Sequence, residues 1–259
     1  MVSERQSFRP SEASLKMVED CARKLAPQSQ ALVEWHESYV SNHKLRIALD
    51  LDIAKQHVAQ DAAVLEMGSI PLLFTTALNG SGYTVTGCDI APERYAGAIA
   101  GAGVNVSKCD IETQRLPFAD ASFDAVVFNE LFEHLRINPI FTLTEVLRVM
   151  KPGGTLMLSS PNLRSLAGIG NFLIRNRAYS CSGDIHAEYN KLERLGHMGH
   201  VREYTTTEVI EFLAAIGFVV TKIIYRGRFH TRLRNLAIRA FPALSPFVSY
   251  IAAKPAARS

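Results

Sequence analysis

AVLEMGSIPLLFTTALNGSGYTVTGCD, residues 63–89, is the stretch whose reading decides the fold. Two short apolar runs, Ala63–Met67 and Tyr83–Asp89, flank a segment of helix length. Runs this short, bounded by glycine and polar residues, suit strands buried on both faces, and the segment between them suits a crossover helix. The pattern repeats at Val104–Asp110, Phe123–Asn129 and Thr155–Ser160. Strands alternating with helices imply an α/β protein with a doubly wound, mostly parallel sheet. Further on, Thr206–Ile216 reads as a helix stopped by Gly217, and Phe218–Tyr225 as a strand. Arg228–Phe241 reads as a basic amphipathic helix, and Val248–Ala253 as a last, antiparallel strand that completes a seven-stranded sheet.

Upstream, Ser11–Lys24 and Gln30–Gln60 carry apolar residues at helical spacing around Pro27. Residues 1–60 are therefore expected to form a helical cap on a domain spanning 61–259. Past Pro161, a stretch of about 40 residues lacks a confident element, and a loop of that length is usually functional. Residues 163–200 are expected to be a lid and 226–246 a basic insertion. The whole chain has 259 residues, 47% hydrophobic and 20% charged, which excludes a disordered tail, a collagen-like repeat and a disulfide scaffold. Net charge is only +3, but from Lys222 onward there are eight Lys or Arg and no acid. That end reads as a solvated face or as a surface for an anionic partner. Scattered cysteines, no apolar leader and no run of roughly 18 apolar residues point to a cytoplasmic protein.

Open α/β sheets bind ligands at the carboxyl ends of their strands. Asp89 lies 21 residues after Gly68, a spacing that suits an acid bonded to a ribose diol. Asp110 can accept from an exocyclic amine, with the Ile111 N–H left for a ring nitrogen. VLEMGS (64–69), VTGCDIAPE (85–93), CDIETQRLPFADASFDAVVFNELFEHL (109–135) and LRVMKPGGTLMLSSPN (147–162) together resemble the class I S-adenosylmethionine-dependent methyltransferases. The resemblance implies a Rossmann-like fold and S-adenosyl-L-methionine as cofactor. It places Glu66 and Gly68 at the methionine moiety, Asp89 at the ribose, Asp110 and Ile111 at the adenine, and Asn129 where a backbone carbonyl meets the amino acid, with Ile90 also among the cofactor-binding residues. The family's E-x-G-x-G-x-G turn is altered here, with Ile70 and Leu72 in place of two glycines. The turn is expected to take another path or to stand off the cofactor. A nicotinamide-binding reading fails for lack of a G-x-G-x-x-G fingerprint.

After the fourth strand comes Asn129-Glu130-Leu131-Phe132-Glu133-His134. A helix or helical turn starting near Glu130 would set Glu130, Glu133 and His134 on one face, where two carboxylates and an imidazole suit a divalent metal with open positions. Candidates for a fourth ligand lie in Gly196–Thr205. The E-x-x-E-H element with a later histidine is similar to metal-dependent small-RNA 3′-terminal 2′-O-methyltransferases and, in its first part, to ubiquinone-biosynthesis O-methyltransferases. Carried over, the resemblance implies Glu130, Glu133, His134 and His200 as ligands of Mg, Mn, Fe or Zn, with His197 in reserve. His134, His197 and His200 are the candidate catalytic residues, a neutral imidazole taking the acceptor's proton.

The expected activity is metal-assisted methyl transfer to a hydroxyl of a diol-bearing small molecule or glycan, lipid-linked or phosphorylated in one version. An RNA-end 2′-O-methyltransferase is the alternative enzyme, discouraged by the modest net charge. A non-catalytic binding module is the alternative from another class. Arg164, Arg175, Arg177, His186 and Tyr189 are candidate substrate contacts; Trp35, His36 and Tyr39 are candidates for stacking on a ring. The Arg228–Phe241 segment is a candidate for peripheral membrane contact.

Overall fold

The computed structural model describes residues 3–7, 9–25, 30–178, 184–195 and 199–256. In chain order the elements are β1 (Ser3–Ser7), α1 (Glu12–Lys24), α2 (Gln30–His57), β2 (Ala63–Met67), α3 (Leu73–Asn79), β3 (Thr84–Asp89), α4 (Ala96–Ala102) and β4 (Asn105–Lys108). There follow β5 (Phe123–Asn129), α5 (Pro139–Val149), β6 (Met150–Pro161), α6 (Leu166–Arg175), α7 (Ile185–Leu195), α8 (Thr206–Ile216), β7 (Val219–Arg226), α9 (Arg232–Ala240) and β8 (Phe247–Ala253). The strands form one sheet in the order β1-β7-β8-β6-β5-β2-β3-β4, with β8 antiparallel to both neighbours and every other pairing parallel.

The Rossmann-like architecture and its antiparallel last strand are as the sequence implies. An eighth strand is added at the edge, because Ser3–Ser7 pairs with β7 rather than joining a helix. Burial on both faces explains the unbroken apolar runs. Alternate residues of each strand feed two cores: Val64 and Val127 pack on α2 and α3, while Leu65, Val126 and Phe128 pack on α5 and α8.

Two expectations change. The segment 1–60 is not a cap set apart from the rest. Ile47, Leu51, Ala54 and Val58 of α2 are buried in the first core, so this helix covers one face of the sheet. The stretch after Pro161 is not an open loop either, for it carries α6 and α7. Ser165 starts α6 by accepting the Gly168 N–H at 2.9 Å, and an Asn176 in the left-handed conformation ends it. Among the described residues no helix is long and apolar enough to cross a membrane.

Candidate active site

The carboxyl ends of β2, β3 and β5 open into a cleft of about 920 Å³, a size usual for small-molecule sites. It lies where strand order reverses, between β2 and β5. Ten of the residues selected from sequence for the cofactor or a metal line it: Glu66, Gly68, Asp89, Ile90, Asp110, Ile111, Asn129, Glu130, His134 and His200.

The altered glycine turn keeps much of a glycine turn's shape. Gly68 has φ +70° and donates its N–H to the Cys88 carbonyl at 2.8 Å. Leu72, in a glycine position of the family pattern, takes φ +71°. Between them the Ile70 N–H donates to Asp89 Oδ2 at 3.1 Å, and the Ala91 N–H donates to Asp89 Oδ1 at 3.0 Å. Asp89 thus moors the turn to the end of β3, so the turn does not stand off the cleft. Gly87 permits the approach: a Cβ there would meet Ser69 Oγ at 2.6 Å.

Burial dominates the chemistry of the floor. The Glu66 carboxyl, 7% exposed, is pushed up to about 8 by burial; the Thr75 hydroxyl donates to it and opposes the shift, and Asp89 adds to it. Burial also raises Asp89, against the pull of the Ala91 and Ile70 N–H groups. Asp110 lies just past β4, its Oδ1 accepting the Glu112 N–H at 3.1 Å and its Oδ2 the Thr113 hydroxyl at 2.9 Å. Both amide atoms of Asn129 are buried without a partner, which leaves them to a ligand.

The metal candidates are arranged differently from the expectation. No α-helix begins at Glu130, and a 3-10 turn spans Phe132–His134 instead. Glu130 itself has φ +50°, accepts the Ser159 hydroxyl at 2.9 Å and pairs with Arg226 Nη2 at 2.9 Å. The common helical face of Glu130, Glu133 and His134 is therefore not formed. Among the described residues, Glu133, His134 and His200 make a group in which one ligand atom from each lies within 4.8 Å of the others. Their meeting has a simple cause: the Glu133 carbonyl accepts the Val201 N–H at 2.8 Å and the Arg202 N–H at 3.3 Å, which carries His200 back to the turn. The two imidazoles sit 4.6 Å apart, edge to face.

Glu133 is wholly buried, and neither carboxyl oxygen has a hydrogen-bond partner. Burial, with the charge of Glu130 second, raises it well above the usual carboxylate range. His200 is pushed down by burial and its Nδ1 has no partner. Glu133 Oε1 lies 3.8 Å from His200 Nε2; a buried carboxylate without a hydrogen bond is costly unless a cation or proton satisfies it, and one carboxylate with two imidazoles is a donor set that fits a divalent transition metal. His197 lies outside the described residues.

One wall of the cleft comes from α2. Trp35, Tyr39, Asn42, His43, Arg46 and Asp50 line it at steps of three and four residues, one helical stripe. Trp35 and Tyr39 were legible as ring-stacking candidates, whereas His36 is buried against Tyr95 at 6.5 Å, away from the cleft. Asn42, His43, Arg46 and Asp50 were missed; their stripe with Tyr39 was the signal available. Burial and then Arg46 hold His43 down at about 4, so it is neutral. Behind this wall Arg226, 1% exposed, reaches Asp50 at 3.2 Å, Glu130 at 2.9 Å and the Ser249 hydroxyl at 2.7 Å. Arg226 is thus a buried strut, not part of a basic surface. Arg164, Arg175, Arg177, His186 and Tyr189 do not line the cleft.

Residues 65–158 match the family model for the methyltransferase domain. No curated protein matches the chain in sequence. Among solved structures, an S-adenosylmethionine-dependent methyltransferase of Thermotoga maritima is similar at a TM-score of 0.57 and 18% identity, covering 92% of this chain and 99% of its own. A chain of the complex between the Haloferax volcanii Trm112 methyltransferase activator and a methyltransferase is similar at 0.58 and 18% identity, with coverages of 85% and 93%. The cyclase SpnF is similar at 0.53 and 17% identity, over 82% of this chain and 83% of its own. The fold is that of S-adenosylmethionine-dependent methyltransferases, and a neighbour named as a cyclase is a reminder that fold alone does not set the reaction.

Proposed function

We propose that the protein transfers a methyl group from S-adenosylmethionine to a hydroxyl of a diol-bearing small molecule or glycan, assisted by a divalent cation. The observation that carries this reading is the convergence of Glu133, His134 and His200 beside a cleft that the cofactor-type acids Glu66, Asp89 and Asp110 also line. Bound S-adenosylmethionine supplies a methyl group already activated by its sulfonium. Glu133, His134 and His200 would hold the cation, which would supply Lewis acidity to lower the pKa of a hydroxyl.

The remaining tasks fall to the chain itself. Asp89, with two oxygens already fixed by backbone N–H groups, is oriented to accept from ribose hydroxyls. Asp110 and the Ile111 N–H address the adenine edge, and the unpaired Asn129 amide addresses the amino-acid end. Glu130 stays anchored by Arg226 and lends negative charge to the cluster without leaving its strut. Trp35 and Tyr39 of α2 close the acceptor side and keep water from it, so that oxygen, methyl carbon and sulfur can align. The acceptor's proton goes to a neutral imidazole, His197 or one of the histidines of the cluster.

Calorimetry with S-adenosylmethionine, with and without Mg²⁺ or Mn²⁺, followed by labelled-methyl transfer to glycans and catechols, tests the reading. The expected result is cofactor binding in every case and transfer only with metal, abolished in Glu133→Gln and His200→Ala. Transfer that survives both EDTA and His200→Ala would remove the cation from the mechanism. Absence of cofactor binding under every metal condition would make the chain a non-catalytic module.

A further inference from the structure

The last turn of α6 and the outward side of α9 carry the most exposed large apolar side chains of the described protein. Ile174 is 84% exposed, Leu233 78% and Leu173 74%, with Phe172, Leu236 and Phe241 each exposed by more than half. Scattered apolar residues on a surface need no explanation, but a cluster on two neighbouring helices does. The two helices form one platform. Ala167 of α6 and Ile238 of α9 are buried together with Phe229, and Leu166 and Leu244 close the seam. The Asn162 amide donates to the carbonyls of Ala243 at 2.9 Å and Ser245 at 2.8 Å, joining the approach to α6 to the exit from α9. Asn235 braces the turn before α9 by bonding Phe229 N–H and O, each at 2.8 Å.

Charge decides what this platform meets. Arg175, Arg177, Arg228 and Arg232, on or next to the same two helices, are exposed as well. The sequence has no acid from 146 to 183 and none from 222 to 259, the two segments that build the platform. A second copy of the chain would bring the same arginines against each other and is disfavoured by like charge. A nucleic acid would meet the arginines but leave Leu173, Ile174 and Leu233 in water. A surface that is anionic at its headgroups and apolar beneath satisfies both.

We infer that α6 and α9 form a docking face for an anionic lipid bilayer. The face sits at the cleft's own edge of the sheet: β6 ends at Pro161 and β8 begins at Phe247, both of which line the cleft, and the platform is built from the segments attached to them. Docking therefore brings the cleft mouth toward the membrane, where an acceptor with a lipid tail is presented.

Co-sedimentation of the full chain with vesicles tests this, using phosphatidylcholine alone and phosphatidylcholine mixed with phosphatidylglycerol. Binding is expected to the mixed vesicles and to fall at high salt. Paired substitution of Leu173→Gln and Ile174→Gln lowers partitioning by about tenfold or more. Each of Arg228→Gln and Arg232→Gln lowers it by about fivefold. These side chains are exposed, so unchanged melting by circular dichroism is expected and separates docking from folding. Equal binding to both vesicle types, or none to either, overturns the inference. A dimer in sedimentation velocity that dissociates in the Leu173→Gln, Ile174→Gln variant also overturns it and assigns the face to a second copy. Binding is read without catalysis, so the result stands apart from that for methyl transfer.

Discussion

Leu72 holds two opposing terms at one position. Its φ of +71° is left-handed, where a non-glycine residue is strained by about 1–2 kcal/mol. Its side chain is fully buried in the core under the sheet. Emptying such a site costs about 2–5 kcal/mol, so burial outweighs strain and leucine is tolerated where the family pattern has glycine. Leu72→Gly is expected to lose about 2 kcal/mol in urea unfolding rather than to gain. Glu66 carries a second prediction. Its folded-state pKa of about 8 lies above the ordinary 4.5, so the folded protein binds the proton more tightly than the unfolded chain. The corresponding stability is complete below about pH 4.5 and is lost as pH rises through 8. Asp50, raised to about 6 by burial against the pull of Arg226 and Arg46, acts in the same sense. Thermal melts of Glu66→Gln between pH 5 and 8 should therefore show a shallower decline than the wild type, with Asp50 supplying part of what remains.

At the scale of elements, Arg226 joins the end of β7 to α2 through Asp50, to the turn after β5 through Glu130, and to β8 through Ser249. Removing one partner of a buried ionic group leaves the others uncompensated, which costs about 3–5 kcal/mol. Arg226→Met should lower the melting temperature by about 10 °C and loosen the Glu130 turn, which a drop in cofactor affinity would report. The turn itself shows why local sequence was insufficient. Glu130-Leu131-Phe132-Glu133-His134 has an acceptable helical pattern, yet β6 claims its first residue: the Glu130 N–H donates to the Ser159 carbonyl at 3.0 Å and to the Ser159 hydroxyl at 3.2 Å. Phe132 is then drawn inward against Tyr204 at 4.5 Å and Phe212 at 5.4 Å. The packing of one aromatic ring thus fixes where Glu133 and His134 stand.

For the molecule as a whole, α2 belongs to the core rather than to a detachable cap. A chain starting at residue 61 would expose the face of β2, β5 and α3 that Ile47, Leu51, Ala54 and Val58 now cover. Such a truncation is expected to be insoluble or to lack a cooperative melt, and a soluble fragment with a sharp transition would contradict this. It would also remove the cleft wall that carries Tyr39, His43 and Arg46.

The sequence by itself determined the sheet and the floor of the site. β2, β5 and α8 begin and end where the apolar runs and the Gly217 stop put them, because burial on both faces and end capping act through neighbours in the chain. The acids at the strand ends followed, since strand direction alone delivers Glu66, Asp89 and Asp110 to one edge. Only the tertiary structure decided the rest: that Glu130 turns to Arg226, that His200 returns to Glu133, that α2 forms a wall, and that α6 and α9 meet through Ala167 and Ile238. Each of these is a contact between segments far apart along the chain, made by packing and by the need to satisfy buried polar groups, and neither periodicity nor spacing records it.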